Sequence, residues 1–462
     1  MKMPTKNWTR LLVLACVFTA LAPAPALAKT DIHFWHAMTG QLGEALETQA
    51  KQFNDSQSDY VVKPLRKGTY PETLTAAIAA YRQKNPPHLV QVFEVGTQTM
   101  LLSGAVYPVQ DLMKEHEIAV NWADFIKPVA GYYTKDGKLY SMPYNSSTPI
   151  FYYNKDAFKK AGLDPERPPK TWKEVEAYSR KILAANAAKC GFSTAWPSWT
   201  MVENMHATHD QPFATKNNGF GGVDGVELLI NREFGQKHIG QLAAWQKDNV
   251  YSYGGRLGTA DPKFINGDCA MYIQSSALIG GFTRGVKFDW GTAELPHWGP
   301  PYKKATSIIG GATLWVLKGK PAPEYKGVAR FLEFLAKPET QMSWHVNTGY
   351  LAVSNTAVKN LEQGYHFVKN PKQYTAFAQL TGLPATPPAA LAGKKAAPAK
   401  PERVATANSS GLRLGNFVQI REAIEAELEN IFGGKKTVKQ GLDDAVAKSN
   451  ALLKDFAATN KP

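Results

Sequence analysis

The sequence predicts an α/β protein of two lobes, each a doubly wound sheet flanked by helices. Three observations predict it. Short apolar runs alternate with stretches of helical period from Ile32 onward. The first of them read β-α-β-α-β, the order that gives a mostly parallel sheet. And 462 residues exceed what one core normally holds.

Residues 32–35 read as the first strand. Leu42, Leu46, Ala50 and Phe53 then share one helical face. Residues 60–62 form a second strand. Residues 71–83 form a helix with Pro71 in its first turn and Leu74, Ile78 and Tyr81 on one side. Residues 89–93 are an apolar third strand. Further on, residues 149–153, 190–195 and 269–274 read as strands, and 156–161 as a short helix closed by Gly162. Thr171 with Glu174 forms a capping box that opens a helix through Lys181. Helices are expected over 325–335, 338–347, 419–431 and 438–456. Residues 384–410, rich in Pro, Ala and Lys, carry too little apolar surface to order themselves and read as a flexible insertion. In doubly wound sheets ligands sit at the carboxyl ends of strands, so site residues are sought there.

Residues 1–28 read as a signal peptide. Lys2, Lys6 and Arg10 precede a short apolar run, and Ala26-Leu27-Ala28 is a cleavage site, which predicts cleavage after Ala28 and export to the periplasm. Two cysteines, Cys190 and Cys269, remain beyond it. The net charge of +14 fits nucleic acid, membrane, an anionic small molecule or a solvated basic surface. No basic run or aromatic pattern marks a nucleic-acid partner. The templates for a zincin, nucleophile elbow, Walker loop and dinucleotide fingerprint each fail at a required position. No cofactor, metal ligand set or catalytic residue is therefore expected.

The positive signal lies in longer blocks. YYNKDAFKKAGLD at 152–164 with PPKTW at 168–172, FINGDCAM at 264–271, and FLEFLAKP at 331–338 with TGYL at 348–351 resemble the signatures of type II extracellular solute-binding proteins. FWH at 34–36, QVFEVG at 91–96, NSSTP at 145–149, IIGGA at 308–312 and GLRLGN at 411–416 resemble the branch that binds glycerol phosphate. The resemblance implies a monomeric, periplasmic, non-enzymatic component of an ABC importer. It would capture sn-glycerol 3-phosphate or glycerophosphodiesters such as glycerophosphocholine and hand them to a membrane permease. It also implies lobe one from 29–138 plus 276–340 and lobe two from 139–275 plus 341–462, with the ligand between them.

Carried over residue by residue, the ligand contacts fall on Tyr70, Glu94, Ser147, Ser275, Gly311, Tyr350 and Arg421, with Trp196 and Trp199 as an aromatic wall. The chemistry suits a phosphate ester. Arg421 offers a planar bidentate fork. Ser147, Ser275, Tyr350 and the Gly311 amide can donate to remaining oxygens. Glu94 can accept from glycerol hydroxyls, and the tryptophans can cover the C–H face. Taken singly, each has a plainer reading: Arg421 as a solvated helix residue, Glu94 as a helix-entry acid, Tyr70 as the residue before Pro71, Ser275 and Gly311 as turn residues, the tryptophans as core. Rival functions stay open at this stage: a neutral-oligosaccharide binder, a secreted hydrolase or lyase, or an adhesion or scaffold protein.

Cys190 and Cys269 each begin a strand that delivers an implied site residue six positions on, Trp196 and Ser275. Equal strand lengths to one cleft place them at similar depth. They are expected close together, either as a disulfide or as two buried thiols.

Overall fold

The computed structural model describes Met1, Met3, residues 29–384 and residues 402–460. The strands are β1 (Thr30–His36), β2 (Tyr60–Arg66), β3 (Leu89–Phe93), β4 (Val106–Tyr107), the short hairpin β5 (Thr134–Lys135) and β6 (Lys138–Leu139), β7 (Met142–Ser147), β8 (Pro149–Asn154), β9 (Cys190–Thr194), β10 (Cys269–Ser275), β11 (Trp290–Ala293) and β12 (Gly310–Leu317). Among the described residues they form two main sheets. One runs β2-β1-β3-β12-β4, with β7 also on β12; the other runs β11-β8-β10-β9.

The first three strands behave as the alternation predicts. β1 is parallel to β2 and β3, and the connections are the helices Gly40–Asp55 and Tyr70–Arg82. Leu46, Ala50 and Phe53 are buried, as is Leu74; Leu42, Ile78 and Tyr81 are half-buried at the helix flanks. All five residues of β3 are buried, because helices or strands cover both faces of a central strand. The capping box at Thr171 and Glu174 opens Trp172–Ala184. The C-terminal helices run Ala322–Ala336, Pro338–Thr348, Phe417–Phe432 and Val438–Thr459.

The sheets are more mixed than the sequence predicts. β12 runs antiparallel to β3, β4 and β7, and β8 runs antiparallel to β10 and β11. The cause is the path of the chain. It leaves β7 in the first sheet and enters β8 in the second with only Thr148 between them, and it returns from β11 to β12. A strand that arrives from the other sheet need not follow the direction a helical crossover imposes. The same crossings carry Met142–Ser147, from the 139–275 range, into the first sheet and Trp290–Ala293, from the 276–340 range, into the second.

Cys190 and Cys269 are register partners in the parallel pair β9–β10, with Cα atoms 4.6 Å apart, and form a disulfide. The expectation of a wholly flexible 384–410 segment is corrected in its last part; positions 385–401 lie outside the described residues. Arg403 is buried, with Nε donating to Glu294 Oε1 at 2.9 Å and the Nη atoms donating to the carbonyls of Ala305 and Leu295. Thr406 caps the turn Ala407–Ser409, and Ser409 is buried. The Arg403 pair, the Thr406 turn, and the bonds of Asn408 to Asp210 and of Ser409 to Thr306 together hold this stretch despite its poor apolar content.

Candidate functional site

Strand ends converge where the two sheets meet. β3 ends in Phe93 and turns at Glu94; β7 ends in Ser147; β10 ends in Ser275; β12 begins with Gly310 and Gly311. β9 leads into Trp196 and the π-helical turn Ser198–Glu203, which carries Trp199. The helix Tyr70–Arg82 points its N-terminus here, a polarity that favours an anion. Arg421 comes from Phe417–Phe432, and Tyr350 follows Pro338–Thr348. All nine residues singled out in the sequence line one cavity of about 510 Å³.

Its aromatic side is well fixed. Tyr70 stacks on Phe93 with ring centroids 5.3 Å apart and accepts a hydrogen bond from Asn145 Nδ2 at 2.9 Å. Trp196 lies 6.4 Å from the Tyr70 ring and adopts φ +48°, an uncommon backbone for a bulky residue and a mark of local constraint. Trp199 donates from Nε1 to the Ile309 carbonyl at 3.4 Å, and its ring lies against Gly310, where an added Cβ would come within 2.3 Å of it. Gly311, at φ +86°, leaves room for the Asn145 carbonyl; an added Cβ would sit 2.0 Å from that oxygen. Burial pushes the Tyr70 and Tyr350 hydroxyls up, which keeps both as neutral donors.

The polar side centres on Arg421. Its Nε and Nη2 donate to both oxygens of Glu203 at 2.7 and 2.6 Å, and Nη2 also reaches Glu94 at 2.5 Å. The sequence leaves this fork free for a phosphate. In the structure two carboxylates hold it, and Nη1 has no hydrogen bond among the described residues. Burial pushes the Glu94 carboxyl up, opposed by Arg421. Glu425, one turn along the same helix, is pushed up to about 7 by burial, against the pull of Arg421 and Arg256.

Sequence reasoning missed Arg66, Gln41, Asp261 and Gln274, which share the cavity lining, and Glu203 behind it. Arg66 closes β2 and Gln274 nearly closes β10, so the strand-end rule could have found both. Glu203 had no such signal.

An interlobe cleft of strand-end residues that holds one buried arginine and two tryptophans has the size and lining of a small-molecule binding site. The chain belongs to the bacterial extracellular solute-binding protein family, whose model matches residues 48–376. It is 44% identical over 457 residues to the sn-glycerol-3-phosphate-binding periplasmic protein UgpB of Salmonella typhimurium, covering 97% of this chain and 98% of that one. The UgpB of Escherichia coli K12 is 44% identical over 441 residues, with 94% and 95% covered. Among solved structures, UgpB from Mycobacterium tuberculosis in complex with glycerophosphocholine superposes with a TM-score of 0.73 at 24% identity, covering 92% of this chain and 99% of that one. The GacH receptor of Streptomyces glaucescens superposes equally well, at 0.73, with 15% identity, 93% of this chain and 99% of the other. At those identities the two superpositions speak for the fold.

Proposed function

We propose that this protein is the periplasmic substrate-binding component of an ABC importer and captures sn-glycerol 3-phosphate, with glycerophosphodiesters such as glycerophosphocholine as further ligands. One observation carries the reading. Nine residues scattered from Tyr70 to Arg421 in sequence line a single cavity, and its size suits a small ligand rather than a polymer. The curated relatives, matched nearly end to end, are named for binding sn-glycerol 3-phosphate.

In this reading Ser147, Tyr350 and the Gly311 amide donate to phosphate and glycerol oxygens, and Ser275 joins them by turning its one hydroxyl proton from the Ser147 Oγ to the ligand. Arg421 supplies the cation through Nη1, and Glu94 accepts from a glycerol hydroxyl. Trp196 and Trp199 cover the carbon face. The lobes are 29–138 plus 276–340 and 139–275 plus 341–462, with Met142–Ser147 and Trp290–Ala293 as exchanged strands. Contacts from both lobes favour the closed form, which a permease then reads. The chain acts as a monomer without enzymatic activity, after cleavage of its leader behind Ala28.

Calorimetry with glycerol 3-phosphate, glycerophosphocholine and maltose tests the ligand class. Binding of a phosphate ester with no response to maltose is the expected result. Saturable maltose binding without phosphate-ester binding would replace this reading with the neutral-oligosaccharide one.

A further inference from the structure

The buried charges behind the cavity do not balance. Arg421 is surrounded by Glu94, Glu203 and Glu425, each no more than 6% exposed. Glu94 comes from the turn after β3, Glu203 from the π-helical turn, and Glu425 from Arg421's own helix. Arg256, whose charge also acts on Glu425, is already committed: its Nε and Nη2 donate to both oxygens of Glu429, at 2.8 and 2.7 Å. Tyr132, packed from the helix Lys127–Tyr132, donates to the Glu94 carbonyl at 3.0 Å; burial keeps it neutral, as it does Tyr70 and Tyr350. Arg66 and Asp261 line the cavity wall and contribute one charge of each sign.

With every acid ionised, one guanidinium therefore faces three carboxylates. An incoming phosphate ester adds one negative charge as a diester and close to two as a monoester, whose second ionisation lies at about 6. Like charges gathered in a poorly solvated site disfavour ionisation, and a proton is the cheapest remedy. Glu425 is the natural seat. It does not bond to Arg421, so protonating it breaks no ion pair, and its carboxyl already titrates near neutrality.

We infer that Glu203 and Glu425 are positioning residues that set the charge this cavity accepts: an anionic phosphate ester is captured together with one proton from solvent, which rests on the carboxylate cage around Arg421, at Glu425. Glu203 does its part by holding the Arg421 fork in place. Its two hydrogen bonds to Nε and Nη2 leave Nη1 as the unclaimed end of the fork among the described residues and offset the charge that would otherwise hold a dianion directly. The inference rests on the ligand class proposed above.

The sign of the linkage is definite. A bound anion raises the Glu425 pKa further, so binding is strongest where Glu425 is protonated and weakens as pH rises through neutrality. Glycerophosphocholine is the decisive probe, because its diester phosphate does not titrate in this range and any proton taken up belongs to the protein. Calorimetry from pH 6 to 9, in two buffers of unlike ionisation enthalpy, reads the proton count directly. The expected result is a buffer-dependent heat and an affinity that falls toward about tenfold per pH unit above neutrality. Glu425→Gln should still bind at pH 6 and should flatten that profile, an effect that a merely structural role would not produce. Wild-type heats that are identical in the two buffers, with an affinity flat across the range, would overturn the inference while leaving the ligand class standing. If the folded protein binds neither phosphate ester at any pH, the ligand class fails and this inference fails with it. Should Glu425→Gln not fold, the wild-type buffer comparison decides alone.

Discussion

Ser275 donates from its Oγ to the Ser147 Oγ at 2.8 Å, and this one bond ties the last residue of β10 in the second sheet to the last residue of β7 in the first. The Ser275 Oγ also accepts from the Ala277 amide at 3.2 Å. The Ser275 hydroxyl is therefore oriented before a ligand arrives, while the Ser147 hydroxyl accepts in this pair and keeps its own proton for a further acceptor. Ser275→Ala should weaken glycerol 3-phosphate binding by about 1 kcal/mol, the worth of one neutral hydrogen bond, and lower the melting temperature only slightly. Calorimetry beside a thermal melt separates the two effects. An unchanged affinity would remove Ser275 from the site.

Arg421→Ala should cost more, and in two ways. It removes the cation nearest the proposed phosphate, which should weaken binding by about 2 kcal/mol or more. It also strands Glu94 and Glu203 as buried carboxylates without their partner, which should destabilise the fold by about 3–5 kcal/mol unless one of them takes up a proton. Urea unfolding should accordingly show a smaller deficit at pH 5 than at pH 8. An affinity within roughly threefold of the wild type would sink the assignment of Arg421.

Gly311→Ala tests the close approach of β12 to β7. The residue sits at φ +86°, which an L side chain tolerates poorly, and its new Cβ would meet the Asn145 carbonyl at 2.0 Å. That carbonyl belongs to a paired strand and cannot swing away cheaply. The substitution should destabilise the protein by at least about 2 kcal/mol and displace the amide proposed to face the ligand. Wild-type stability and affinity together would show that the strands have slack.

Much of this architecture was legible in the sequence, and the reasons differ by element. β1, β2 and β3 were visible because an apolar run of strand length announces itself. β7 was not. Its residues Asn145, Ser146 and Ser147 are polar yet fully buried between the sheets, so no hydrophobic period marks them. β12 was hidden for a related reason: it opens on two glycines, which carry no hydrophobic period, and one of them, Gly311, reads as a ligand contact. Parallel and antiparallel pairing could not be read at all where the chain changes sheets. The candidate site was legible because the blocks around it resemble a known family. Glu203 was invisible because its partner lies 218 residues away and only folding joins them. Arg403 was obscured by the composition of the segment it anchors.

Acid should unfold this protein through its buried histidines. Burial lowers His206 and His345 to about 4 and His238 to about 3. A histidine with a depressed folded pKa leaves stability intact above its unfolded value near 6.5 and erodes it as pH falls toward the folded value, because only the unfolded chain gains the proton in that window. Each ring should cost on the order of 3–5 kcal/mol once pH passes below its folded value. The melting temperature should therefore drop steeply between pH 6.5 and 4, and His206→Gln should make the slope shallower even if it lowers the plateau. A melting temperature constant over that window would contradict the assignment of these rings as neutral and buried.

The low-complexity insertion should be removable, but only between the right ends. The Glu402 amide donates to the Gly382 carbonyl at 2.8 Å, so the chain leaves and returns at one place. Residues 385–401 can then be replaced by a short Gly/Ser linker without asking either end to move. Their Pro, Ala and Lys content gives them little apolar surface to contribute to a core. The variant should bind glycerol 3-phosphate as the full chain does and melt within a few degrees of it. Cutting through to Ser410 is a different operation. It removes Arg403, which pairs with Glu294 and bonds to the carbonyls of Ala305 and Leu295, and it removes the capped turn at Thr406. Glu294 would lose its arginine and keep only Lys304, whose Nζ lies 3.1 Å away. The longer deletion should therefore cost several kcal/mol, in the range for breaking a buried pair of about 3–5. Parallel urea titrations of the two deletions check the contrast. Equal stability in the two would show that the Arg403 anchor contributes nothing, and loss of binding in the shorter one would show that the insertion supports the site.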